Sequence, residues 1–177
     1  MSNKKIIILG PPGVGKTTLT ICALKNKIPS FSTHGCWTGA QSNVQLESIA
    51  KYSKEPEPDG SYTINGIAEY YAYAKSILNL EVSLFLDAGG ISINYINQYK
   101  DKWLDIRTVL LLPPRDVYLE RERMGIESGA RGNQNGLEHY AWFEYLKSEF
   151  DLVVEDVLSP QEILDYIIEK TGFKNVI

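Results

Sequence analysis

The sequence predicts an α/β fold of three layers, a mostly parallel sheet with helices on both faces. Three observations carry this expectation. Short apolar runs recur at 6–9, 82–90, 107–115 and 151–156, and runs without alternation read as strands buried on both faces. Segments of helical composition fill the intervals near 92–102, 115–124, 136–149 and 160–170. Parallel neighbours need long crossover connections, so strands that alternate with helices imply a parallel sheet with helices packed against it.

In chain order, Ile6 to Leu9 is a β-branched run ending in glycine, the first buried strand. Thr17 to Leu24 has good helix composition, and "NKIPS" closes that helix because Pro29 disfavours helix at the residue before it. Phe31 to Thr33 reads as a second, short strand. "KEPEPDGS" at 54–61 reads as a solvated turn, with Ser61 or Thr63 placed to cap a following helix. On that helix Ile64, Ile67, Tyr71, Ala74 and Leu78 form one apolar face. "GIESGARGNQNG" at 125–136 holds four glycines and two asparagines around Arg131, and is either a mobile lid or a plain surface loop. No repeat, low-complexity tract or long linker divides residues 1–177, so a single domain is expected, with an acceptor-side insert at about 34–80 and the lid at about 125–136.

Composition narrows the partners. The 177 residues suffice to bury roughly 70% of the unfolded surface in one core. Hydrophobic residues at 44% and charged residues at 23% are ordinary for a globular protein, and a net charge of −4 offers no basic field for nucleic acid. Cys22 and Cys36 are too few and too far apart for a zinc set or a redox pair, which suits reduced thiols in a cytosol. The start "MSNKKIIILGPPG" is too briefly apolar for a signal peptide and no run reaches membrane-spanning length. A cytoplasmic protein with neither a nucleic-acid nor a membrane partner is expected.

The chemistry begins at "GPPGVGKTT", residues 10–18. Gly10, four residues, then Gly15-Lys16-Thr17 is the phosphate-binding (Walker A) pattern, and it stands between a strand and a helix as that mechanism requires. The fold class sharpens to a three-layer P-loop NTPase fold with a short lid. Gly10, Pro11, Pro12, Gly13, Val14, Gly15, Lys16, Thr17 and Thr18 are the candidate nucleotide-binding residues. Backbone N–H groups would curl around phosphate oxygens, Lys16 would reach the outer phosphates, and Thr17 would offer a magnesium ligand. ATP and Mg2+ are the expected cofactors. Asp87 ends the second clear strand, facing the same crevice; it holds the magnesium through water, caps the helix that starts near Ser92, or does both. Arg121, Arg123 and Arg131 are three of five arginines in the chain and gather around the glycine-rich stretch. Arginine over a transferring phosphoryl group offsets developing charge, whereas "LERERM" also reads as a solvated charged face. Lys16, Asp87 and Arg131 are the catalytic candidates.

Together these residues resemble the small P-loop kinases, the group containing nucleoside monophosphate kinases and shikimate kinase. "FLDAGG" is similar to the strand-end segments of both, which brings Gly89 and Gly90 in as acceptor-side candidates. "LPPRDVYLERERM" resembles the strand and helix leading into their lid, and that resemblance implies Arg121 packing against adenine. "DLVVEDVLSPQEILDYI" resembles their last strand and helix. Two departures stand out. The shikimate kinases carry acidic residues after the second strand, where this chain reads "FSTHGCW". The monophosphate kinases grip an anionic acceptor with arginine, and this chain has none between Thr18 and Ile106.

Two functions follow. One is a phosphotransferase moving the γ-phosphoryl group of ATP to a small acceptor. The other is a nucleotide-hydrolysing switch, since Asp87-Ala88-Gly89-Gly90 fits an aspartate-x-x-glycine element; the guanine-reading asparagine-lysine-x-aspartate element is absent. His34 and Trp37 follow the second strand, where this fold brings an acceptor near the γ-phosphate, and are acceptor-side candidates. His139 and the tyrosines at 62, 70, 71 and 73 take structural readings.

Overall fold

The computed structural model describes residues 3–32, 53–56, 62–64, 75, 77–89, 92–100, 105–130 and 132–174. Its centre is a five-stranded sheet: β1 (Lys5–Leu9), β2 (Ser30–Ser32), β5 (Leu84–Asp87), β6 (Ile106–Leu111) and β7 (Leu152–Val154), in the spatial order β2-β5-β1-β6-β7. Every pairing in it is parallel, as crossover helices require. Around it lie α1 (Lys16–Lys25), α2 (Ile93–Lys100), α3 (Arg115–Glu127), α4 (Gly136–Tyr145) and α5 (Pro160–Thr171), with a 3-10 turn at Lys147–Glu149. The expected three-layer fold is therefore present. No helix among the described residues is long and apolar enough to cross a membrane.

Strand β1 is buried along its whole length, and Ile6, Ile7 and Ile8 are fully inaccessible. Each such side chain contributes about 1.5–3 kcal/mol by leaving water, so the strand that launches the phosphate loop is the best anchored in the molecule. Helix α5 is fixed at both ends. Ser159 accepts from Glu162 N while the Glu162 carboxylate accepts from Ser159 N, Pro160 starts the helix, and Gly172 closes it in the left-handed region.

Two sequence expectations need correction. Residues 53–64 were expected as a turn running into a helix, and instead contain a hairpin, β3 (Ser53–Pro56) paired antiparallel with β4 (Tyr62–Ile64). Thr63 thus lies in a strand, Ser61 lies outside the described residues, and Ile64 leaves the expected helical face. Of the rest of that face, Leu78 is helical and buried, while Ile67, Tyr71 and Ala74 lie outside the described residues. The stretch 125–136 is also not loop throughout. Helix α3 continues to Glu127 because Arg123 pairs with Glu120 and Glu127, three and four residues away, and such spacing supports the extra turn. The connection is then 128–135, with Gly129 and Asn135 at positive φ.

One buried charge departs from the apolar pattern. Lys5 is 1% exposed, and its ammonium donates to the carbonyls of Leu80 and Val82, pinning the chain that enters β5. Burial pulls its pKa from 10.5 to about 8. An unfolded lysine keeps its proton to near the ordinary value, so between these two values the unfolded state binds more protons and stability rises with pH. The urea midpoint should climb from pH 8 to pH 10, and more steeply than in Lys5→Met. Equal slopes in the two proteins would show that Lys5 stays charged in the fold.

Candidate active site

The site forms at the C-terminal edge of the sheet, where β1 lies between β5 and β6. Its register sets Ile8 beside Asp87, and Ser32 lies opposite Asp87 on the other side. The strand order switches sides here, with β2 and β5 on one side of β1 and β6 and β7 on the other, and crevices at such switch points hold ligands in open α/β sheets.

After β1 the chain must turn within a few residues into α1. A β-carbon on Gly10 would stand 2.7 Å from the Leu111 carbonyl oxygen and 2.8 Å from Val14 Cγ1, so the loop leaves the sheet through a gap only glycine fits. Gly15 enters the helix with φ +110, which L side chains rarely adopt. Pro11 O accepts from Val14 N at 3.2 Å, curling the loop. Lys16 Nζ lies within that curl, donating to Gly10 O at 2.9 Å and Pro11 O at 3.1 Å. Burial lowers its ammonium pKa and the nearby Asp87 carboxylate pulls it back up.

Thr17 and Asp87 meet directly. Thr17 Oγ1 donates to Asp87 Oδ2 at 2.9 Å, and Gly89 N donates to Oδ1 at 3.2 Å. Asp87 is wholly buried. At the start of α2 it is Ser92 Oγ that accepts from Tyr95 N, at 3.2 Å.

A magnesium ion fits this donor set. No group of three or more His, Cys, Asp or Glu capable of holding a metal occurs among the described residues, and none is needed, because magnesium keeps water and takes substrate phosphates with one or two protein oxygens. Thr17 Oγ1 and Asp87 would be those oxygens.

A cavity of about 780 Å³ opens over the loop. Its floor includes Gly10, Pro12, Gly13, Gly15, Lys16, Thr17 and Thr18, with Asp87, Gly89, Ser92 and Asn94 to one side. Pro11 and Val14 complete the loop. The opposite wall is His139, Trp142, Phe143 and Leu146, which sequence reasoning passed over. Their spacing of three, four and seven residues from His139 marks one helical face, a signal present in "HYAWFEYL". Arg121 is exposed on α3 and is not among the residues lining this cavity. Arg131, His34, Trp37 and Gly90 lie outside the described residues. Arg123, paired with Glu120 and Glu127, belongs to the solvated face.

Helix α3 also touches the loop: Tyr118 is buried and its hydroxyl donates to Pro12 O at 2.8 Å. Tyr118 stacks on Tyr140 of α4 at 5.3 Å, and the Tyr140 hydroxyl donates to Pro113 O at 2.7 Å. Helices α3 and α4 are thereby fixed to the loop and to the end of β6.

This fold is that of the small P-loop kinases. It is similar to shikimate kinase from Aquifex aeolicus (TM-score 0.57, 17% identity, 95% of this chain and 96% of that one). It is also similar to the tunicamycin resistance protein of Deinococcus radiodurans (TM-score 0.60, 17% identity, 100% and 99%) and to a gluconokinase from Sinorhizobium meliloti (TM-score 0.55, 12% identity, 96% and 92%). No protein-family model and no curated protein matches the chain.

Proposed function

We propose that this protein is an ATP- and magnesium-dependent phosphotransferase acting on a small, non-anionic hydroxyl acceptor. The observation that supports it most is that Lys16, Thr17 and the buried Asp87 together line a cavity with room for a second molecule beside the phosphates. The kinase names among the structural neighbours agree with this reading. The loop's N–H groups and Lys16 bind the β- and γ-phosphates, and Thr17 and Asp87 hold the metal, whose charge offsets that on the phosphate oxygens. The acceptor oxygen forms the new bond to phosphorus as ADP leaves. Catalysis comes from positioning and charge rather than from a covalent intermediate.

The acceptor's charge follows from what surrounds it. Residues 28–106 contain nine carboxylates, five lysines and no arginine, and Lys16 is the only Lys or Arg among the described residues lining the cavity. An anionic acceptor is normally gripped by arginine, whose fork matches the anion, so a neutral or cationic hydroxyl compound suits this site. In this reading Arg131 acts from the lid on the phosphoryl group in transit. Arg131→Ala should lower kcat by about tenfold or more with little change in ATP affinity; wild-type kinetics would return 128–135 to an ordinary loop.

A screen of acceptors with ATP and magnesium tests the whole reading. Phosphorylation of a neutral alcohol is expected. Efficient phosphorylation of a nucleoside monophosphate would sink the charge argument, and hydrolysis indifferent to every acceptor would favour the switch.

A further inference from the structure

The cavity wall opposite the phosphate loop is aromatic, and the fold holds it there. Tyr140 and Gly136 are the buried residues of α4. Tyr140 fixes the helix's rotation by stacking on Tyr118 and bonding to Pro113 O, which leaves His139, Trp142, Phe143 and Leu146 facing the cavity. Phe143 reaches back toward the core, its ring 6.3 Å from that of the buried Phe150. Trp142 is different. It is 57% exposed although it lines a cavity, and its ring is supported by Tyr145, stacked at 5.9 Å with 29° between planes. A large aromatic surface, stacked on a second exposed ring, is thus left uncovered in the cavity that also holds the phosphate loop.

Resting on the phosphotransferase reading above, we propose that this α4 face recognises the acceptor, and that the acceptor carries a flat aromatic or heteroaromatic ring that stacks on Trp142. Three features converge on that class. The face supplies ring and aliphatic surface with two polar groups, the His139 imidazole and the Trp142 indole N–H, able to bond a hydroxyl or ring heteroatom. The only cationic side chain among the described lining residues, Lys16, is committed to phosphate, so the wall selects by shape and stacking rather than by charge. A cavity of about 780 Å³ exceeds what a phosphate group needs and falls within the range of small-molecule sites. Trp142 is a specificity-determining residue here, with no part in the chemistry at phosphorus.

Matched pairs test this directly, using the full chain with magnesium and the β,γ-imido analogue of ATP. Phenyl β-D-glucoside is compared with methyl β-D-glucoside, and adenosine with ribose, by saturation-transfer NMR and calorimetry. In at least one pair the ring-bearing member should bind about tenfold more tightly. Trp142→Ala should remove that advantage, Trp142→Phe should keep most of it, and all three proteins should bind the ATP analogue within twofold of one another. Trp142 is an exposed side chain, so the variants should melt as the wild type does. Absence of a ring preference in both pairs, or a preference untouched by Trp142→Ala, overturns the inference while the analogue still binds and the phosphotransferase reading stands. Failure of the wild type to bind the analogue overturns both.

Discussion

Lys16→Met should abolish phosphoryl transfer, lowering kcat on the order of 10³-fold or more, while the protein remains folded. The aliphatic stem of methionine fills nearly the same volume, so the buried surroundings of Lys16 lose little packing. The Gly10 and Pro11 carbonyls lose their donor, at a cost of about 1 kcal/mol each, set against removal of an ammonium that burial already disfavours. Strand β1 and its isoleucines are untouched. What disappears is the one Lys or Arg side chain lining the cavity among the described residues, and with it the positive charge that the outer phosphates require as the bond to phosphorus breaks. Circular dichroism should show an unchanged melting curve to within a few degrees, and coupled-enzyme kinetics should show no turnover. Unchanged nucleotide affinity and transfer in this variant would remove the foundation of the proposed function.

The phosphate loop and the sheet were legible because local and tertiary requirements coincide there. The apolar run at Ile6–Leu9 can only be a buried strand, and Gly10, Gly15, Lys16 and Thr17 have spacing that a phosphate cradle demands. Residues 53–64 were not legible for the opposite reason. "SKEP" has neither alternation nor β propensity, and its pairing with Tyr62–Ile64 shifts register between Ser53 and Pro56, so the hairpin has no local signature. Ile64 happens to fall in helical phase with residues further on, which made a period appear where the chain is extended. The aromatic wall failed differently. Its period at 139, 142, 143 and 146 is plain, but a period says that a face exists and not what it faces. That is decided by Tyr118 and Tyr140, 22 residues apart in sequence and stacked in space. Asp87 was ambiguous between two uses; in the fold Ser92 caps α2 and the Asp87 carboxylate accepts from Thr17.

That pairing makes Asp87→Asn the most informative change after Lys16. The amide has almost the shape of the carboxylate, and the existing bonds survive its insertion. Its oxygen can accept from Gly89 N, and its NH2 can donate to Thr17 Oγ1, whose hydroxyl turns to accept. Fold and loop geometry are therefore preserved, and the charge alone is lost. A metal held by Thr17 and Asp87 would then see one negative charge fewer in a buried setting, where a single charge weighs most. The magnesium concentration giving half-maximal rate should rise about tenfold or more, with a smaller fall in kcat once magnesium is saturating and no loss of thermal stability beyond a few degrees. Asp87→Ala should fare worse on stability, since it leaves Gly89 N and the Thr17 hydroxyl without their partner. If Asp87→Asn titrates with magnesium as the wild type does, the carboxylate serves only to hold Thr17 and Gly89 in place, and the metal takes its protein oxygen from Thr17 alone.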